Sequence, residues 1–454
     1  MKSNLIVTSL ILSVLLQAHA SAADTGKTIT LEQAYDLTLS SDQSIGIAYV
    51  ALEIAKLAPL AAFTKLLPQV NGVTSIDAQS PRPGSHTAAS TIGATSPTGT
   101  TTTGSSGSGS RTRYNNAGIS IQQPVFDLSF FPAYRQGVAV REGARLTYRA
   151  GIRQILFGVA QAYYNVLSQQ KLVGVDKEAL RLSKEQYDLA QKQANVGVVT
   201  RSDVLRAQVV VESARRSLIQ DTNTLESLRN VLGNILNLPA DKPFQVAAPP
   251  DYPSELPSFA SVLGKALAQR EDLRAMTQAI ERDTEAHNVA RSAYVPKIIA
   301  SLDAARNDQS TPKYANNWQA NLSVNVPIFN GGQRELDLRT TSLQIRTTKL
   351  QRDQLAKTVE QDVKDSWLNV KSLTESLAAL RTQVAAAEQG YLDIKNQYTA
   401  GVSTSVDVLT ALNDLNTARK DLALQINSLQ VALRKLDQAK GIFQQQRVNS
   451  APHQ

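Results

Sequence analysis

The chain has 454 residues, no cysteine, and 47 Lys plus Arg against 39 Asp plus Glu. Without a thiol there is no disulfide scaffold, and no cysteine follows the leader to carry a lipid anchor. Charges of both signs interleave along the sequence, so the formal balance of +8 reads as solvated surface and not as a nucleic-acid footprint.

Residues 1–23 have the parts of a secretory signal: Lys2, an apolar stretch from Leu5 to Leu16, and the small residues Ala18-His19-Ala20-Ser21-Ala22-Ala23. The mature chain is expected to begin near Ser21 to Asp24. Nothing later is expected to offer the roughly 20 uninterrupted apolar residues of a spanning helix, so any passage through a membrane would use strands.

A first strand is predicted over about 66–79, entered by Leu67-Pro68. In it Val70, Gly72, Thr74 and Ile76 alternate with Gln69, Asn71, Ser75 and Asp77. A second, over about 112–126, carries Ala117-Gly118-Ile119-Ser120-Ile121-Gln122 and ends at Pro124-Val125-Phe126. Between them Ser80 to Arg111 is mostly Ser, Thr, Gly and Ala, which suits a flexible, dispensable loop.

Proline is absent from 133 to 238, which leaves that interval free to be helical. From about Phe131 to Asn195 a helix would run roughly 100 Å, with Ile155, Val159, Tyr163, Val166, Val173, Leu180, Tyr187, Ala190 and Ala194 as its apolar seam. It ends at a turn, 196–204, where Gly197 can close one helix and Thr200 with Asp203 can cap the next. A Pro-rich linker is expected over 239–257.

The second half repeats the order. Strands are predicted over about 294–306, entered by Val295-Pro296, and about 315–329, where Trp318 to Val326 alternates before Pro327-Ile328-Phe329. A short loop, Asn307 to Tyr314, separates them. Proline is absent from 328 to 451, and Val359, Val363, Trp367, Val370, Leu377, Tyr391 and Tyr398 mark a stricter seam. It ends at a second turn, 400–408, with Gly401, Thr404 and Asp407. Residues 444–454 are expected to be a flexible tail.

The halves are duplicates. Gly197, Thr200, Asp203-Val204-Leu205 and Ala207 return 204 residues later as Gly401, Thr404, Asp407-Val408-Leu409 and Ala411. Tyr163, Asn165 and Tyr187 answer Trp367, Asn369 and Tyr391 at the same spacing. So long a period marks whole structural repeats, 24–238 and 258–443, and not a solenoid.

These features resemble the TolC-like outer-membrane efflux proteins. The resemblance rests on the doubled Gly-x-x-Thr-x-x-Asp-Val-Leu-x-Ala turn and the paired Leu-Pro and Pro-x-Phe strand markers, over about Ile29 to Phe443. It implies a mostly α fold with a transmembrane β-barrel portion: a homotrimer in which each chain gives four strands to a shared twelve-stranded barrel, and long helical hairpins form a periplasmic α-barrel. The function so implied is an exit duct of tripartite efflux or type I secretion, with a periplasmic adaptor, an inner-membrane pump and outer-membrane lipid as partners.

By the same resemblance the paired turns are the periplasmic tip. Asp407 would line the channel constriction, with Asp414 seven residues on as a deeper ring. Asp203 with Tyr398, or Arg201 with a neighbouring acid, would form a latch. Capping alone also accounts for Asp407 and Asp203, and Thr410 and Ser403 stand where some relatives have a second acid and a base. Residue types argue separately against catalysis, cofactors and metal: the only histidines are His19, His86, His287 and His453, and no Gly-rich phosphate loop or metal-ligand spacing occurs. Tyr163, Trp367, Tyr187 and Tyr391 are expected to serve packing. The rival reading is a periplasmic coiled-coil adaptor or structural spacer, which would also need long helices.

Overall fold

The computed structural model describes residues 28–79, 112–239, 244–248, 256–309 and 315–450. The leader, the Ser80 to Arg111 loop and most of the loop before Ala315 lie outside them. In chain order the elements are β1 (Thr28–Ile29), α1 (Leu31–Ser41), α2 (Gln43–Lys56), α3 (Ala58–Thr64), β2 (Gln69–Gln79), β3 (Thr112–Phe126), α4 (Phe130–Asn195) and α5 (Arg201–Ile235). There follow β4 (Gln245–Val246), α6 (Phe259–Gln269), α7 (Glu271–Ser292), β5 (Lys297–Gln309), β6 (Ala315–Asn325), α8 (Gln333–Thr399), α9 (Ser405–Ala439) and α10 (Gln445–Ser450). They form two compact units, 44–152 with 263–362 and the remainder, and each draws on both repeats.

The first unit holds an antiparallel sheet in the order β2-β3-β5-β6. Its register sorts the strand residues into rows. Val70, Ile121, Leu302 and Ala320 stand side by side, as do Gly72, Ile119, Ala304 and Trp318. On the reverse face Gln69, Gln122, Ser301 and Asn321 form one row and Asn71, Ser120, Asp303 and Gln319 the next. The period of two thus gives one apolar and one polar face. The apolar face is open, with Leu302 43% and Trp318 76% exposed. Gly118 permits the close approach of β3 and β5, since a Cβ there would meet Ala304 O at 3.0 Å.

Strand ends differ from expectation by a few residues, each for a local reason. Leu66 and Leu67 still belong to a helical turn, their amides bonded to Phe63 O and Thr64 O, so β2 starts at Gln69. Tyr294 and Val295 likewise close α7, and β5 runs from Lys297 to Gln309. β6 stops at Asn325, two residues before Pro327, which has no N–H to give a ladder, and the Pro327 and Ile328 carbonyls accept from Arg334 at 2.8 and 3.0 Å. At Pro124, which has no N–H to give the ladder, the β3–β5 register slips by one.

One composition reading is corrected. Gln43–Thr64 is a 22-residue helical stretch long and apolar enough, by those criteria alone, to cross a membrane. It is not a single free rod. The helix breaks at Leu57 with Pro59 in the first turn of α3, a Glu53–Lys56 ion pair sits before the break, and a Cβ on Gly137 of α4 would lie 2.7 Å from Pro59 N. Ile47, Val50, Ile54, Leu57 and Leu60 remain exposed along it.

In the second unit β1 and β4 pair in parallel. Residues 244–248 of the expected linker are therefore structural, with Phe244 and Val246 buried. The Tyr163 hydroxyl lies 2.8 Å from Ile29 O and 2.7 Å from Ala247 O, tying both strands to α4. Burial pushes its pKa up to about 12, so it stays a donor. Its duplicate, Trp367, donates Nε1–H to Pro257 O at 2.8 Å. Both residues pack, as expected, and both also pin the connecting segments. Tyr163→Phe should cost about 1–3 kcal/mol, because buried carbonyls lose a donor. A thermal midpoint equal to wild type would refute that role.

The expected flexible tail is also corrected. Arg153 donates to Phe443 O and Gln445 Oε1, both at 2.8 Å. Arg447 pairs with Glu32 at 2.9 Å and Asp36 at 2.6 Å while stacking on Tyr35, and Val448 is buried. Residues 445–450 are thus a docked helix.

Candidate functional site

The two turns of the duplicated motif are built alike. Gly197 (φ +77°) and Gly401 (φ +78°) take the left-handed conformation that glycine adopts at no steric cost. Val198 N donates to Gln193 O and Val402 N to Gln397 O, each at 2.9 Å, which closes α4 and α8. Thr200 and Thr404 then start α5 and α9 with reciprocal caps. Asp203 Oδ2 accepts from Thr200 N at 3.1 Å and from its hydroxyl at 2.7 Å. Asp407 Oδ2 accepts from Thr404 N at 2.9 Å and its hydroxyl at 2.6 Å, with Ser403 Oγ adding a bond at 3.1 Å.

These bonds, to the Thr hydroxyl first and the backbone second, hold the carboxyls of Asp203 and Asp407 below the usual carboxylate range. Behind them Leu182, Tyr391, Tyr398, Val408, Leu412 and Leu415 form a buried core. That core orients α9, so Asp407 and Asp414 share its exposed face. Asp203 carries a second, looser contact, 4.0 Å from Arg206.

The latch residues are only partly brought together. Burial first, then Asp203 acting through space, raise the Tyr398 pKa, yet among the described residues no hydrogen bond joins Tyr398 to Asp203. Arg201 is exposed and makes no ion pair among the described residues. Sequence reasoning missed the apolar residues that cover the turns: Val196, Val198 and Val402 are 75%, 67% and 78% exposed. Their signal was the motif itself, which sets valines beside each glycine where a solvated turn needs none.

A two-faced antiparallel sheet, together with helices of 66 and 67 residues that end in matched turns, defines an architecture of two repeated halves with a strand hairpin and a long helical hairpin in each. Comparison with known proteins agrees. The family model described as "Outer membrane efflux protein" matches residues 34–238 and 262–441, and the chain belongs to that family.

The probable efflux pump outer membrane protein TtgC of Pseudomonas putida is 27% identical over 281 residues, 59% of this chain and 56% of that protein. The outer membrane protein TolC of Escherichia coli is 24% identical over 68% of this chain and 65% of its own. The match thus spans little more than half the length of TtgC. The CmeC outer membrane channel of Campylobacter jejuni shares the fold, with a TM-score of 0.75 at 17% identity over 93% of this chain and 89% of that one. This is a protein of the outer membrane whose helices extend into the periplasm.

Proposed function

We propose that three copies of this chain form a passive exit duct through the outer membrane, coupled to a periplasmic adaptor and an inner-membrane pump and gated at the paired turns. The sheet carries this reading. Its apolar face suits lipid and its polar face a wet lumen, while the outer edges of β2 and β6 have no strand partner among the described residues. Unpaired edges are not tolerated in lipid, so further copies must complete the barrel. The exposed apolar line on α2 and α3 supplies further surface for neighbouring copies.

At the turns, Asp407 and Asp414 would converge about the threefold axis as a cation-favouring constriction. Asp203, Tyr398 and Arg201 would serve as a latch that forms between copies. The exposed Val196, Val198 and Val402 suit an adaptor tip that covers apolar surface. The name of TtgC favours efflux over secretion as the task. On this reading the duct has no chemistry of its own, and no cofactor or nucleic acid enters the scheme.

Detergent-purified protein should run as a trimer in mass photometry and, in planar bilayers, give small closed-state conductances that rise in steps. A stable folded monomer would sink the shared barrel. A soluble periplasmic product would favour the spacer reading instead.

A further inference from the structure

Away from the turns, three side chains of the helical unit meet in one cluster, in which Asp221 and Lys420 are part-exposed at 24% and 30%. Asp176 of α4 is 2% exposed. Lys420 of α9 sets its Nζ 2.5 Å from Asp176 Oδ1 and 3.5 Å from Asp221 Oδ2 of α5. Gln169 of α4 donates to Asp221 at both its carboxylate (3.1 Å) and its backbone carbonyl (3.0 Å). Asp176 Oδ2 is buried and, among the described residues, accepts no hydrogen bond.

The cluster therefore joins the first-repeat hairpin, α4 and α5, to the second-repeat helix α9. Fully ionised, it holds two negative charges against one positive charge, and burial of an uncompensated charge is costly. One proton would make it neutral.

We propose that Asp176, Asp221 and Lys420 are a proton-operated clamp: with a proton held between the two carboxylates, α9 is seated firmly on α4 and α5, and loss of that proton loosens the join. Several observations agree. Burial first, then the Asp221 carboxylate beside it, push Asp176 up to about 6, against the pull of Lys420. Asp221 is held below its usual value, chiefly as the acceptor from Asp176. The titration belongs to the pair. Lys420 is raised by its two carboxylates although burial opposes this, so it stays charged.

The other charged residue lining the adjoining groove of about 850 Å³ is Arg206 of α5. It lies roughly 22 Å along the helix from Asp221, too far for a screened charge to govern the site.

The sign follows from the raised value. Between the ordinary carboxylate pKa near 4 and about 6 the folded chain binds more protons than the unfolded one. The clamp is therefore present below that range and is lost as pH rises through 6. Asp176 lies roughly 30 Å before the end of α4 and Lys420 roughly 22 Å beyond the start of α9. A change in how α9 is seated is carried along a rigid helix to the turn with Asp407. On the reading of that turn as the gate, acid holds the duct shut and neutral pH eases it open.

The test uses the full trimer from pH 5 to 8, followed by thermal unfolding and by open probability in planar bilayers. Wild type should lose thermal stability in a step that begins below pH 5 and is complete just above pH 6, with opening rising through pH 6. Asp176→Asn, close in shape to the protonated acid, should abolish the step and keep the pH 5 midpoint at pH 8. Asp221→Asn should move the step to lower pH and Lys420→Met to higher pH, opposite shifts that a packing role would not produce.

A wild-type step in Asp176→Asn overturns the clamp. Should that variant fail to assemble, shifts of the same sign in the other two overturn it equally. If the thermal steps behave as stated while opening ignores pH, the clamp stands and the gating reading of the turns fails.

Discussion

Leu302→Arg should leave almost no assembled protein in the outer membrane, while Ser301→Arg, one residue away, should assemble normally. Both lie near the middle of the 13-residue β5, so depth is matched and only the face differs. Leu302 stands in the row of Val70, Ile121 and Ala320, and Ser301 in the row of Gln69, Gln122 and Asn321. An arginine held against lipid at mid-depth costs about 2–4 kcal/mol, and a trimer would bear it three times. On the reverse face the same side chain meets water and neighbouring Asn and Gln. The readout is the heat-modifiable trimer in the outer-membrane fraction. Equal accumulation of the two variants would mean that the apolar face does not meet lipid, and the shared barrel would have to be abandoned.

The parts that sequence made legible are those where one residue type has one geometric use. Gly197 and Gly401 marked the left-handed ends of α4 and α8, and Thr200 with Asp203 and Thr404 with Asp407 marked the caps, because a helix end needs a positive φ and an acceptor in fixed order. The strands of β5 and β6 were legible from alternation, with ends off by a few residues where helical turns and Pro327 interrupt the flanking backbone.

Other features were hidden for equally physical reasons. The β1–β4 ladder is two residues long on each side, too short for any period to show. The seam of α8 was read well, with Val359, Val363, Val370 and Tyr391 all buried. That of α4 was blurred, because neighbours cover more than one stripe and bury Ile152, Leu156 and Leu182 beside the expected positions. Asp176, Asp221 and Lys420 looked like any solvated helical charges, since nothing in a sequence brings α4, α5 and α9 together. Tyr163 and Trp367 read in sequence as packing residues, and their role as donors depends on carbonyls roughly 80 to 130 positions away in the chain.

Asp407→Asn should weaken cation preference and relieve block by multivalent cations from the periplasmic side, while Asp203→Asn changes both less. The comparison is useful because the two carboxylates share the threonine cap, although Ser403 adds a bond to Asp407 and Arg206 a loose contact to Asp203. Each accepts from the backbone N–H and hydroxyl of its threonine, and an asparagine oxygen can replace either acceptor. Any loss of helix start is therefore shared, and a difference between the variants reports on what each residue faces. Asp407 sits with Asp414 on the exposed side of α9, and three copies would bring three to six carboxylates together, a field strong enough to gather multivalent cations.

Because Thr404 holds the Asp407 carboxyl below its ordinary value, this charge persists from about pH 5 to 8. Selectivity should accordingly be flat across pH 6, where the clamp at Asp176 titrates, and reversal potentials separate the two effects. If Asp407→Asn conducts, selects and is blocked as wild type is, Asp407 is a helix cap alone. The constriction would then lie at Asp414, and Asp414→Asn should show the lost block instead.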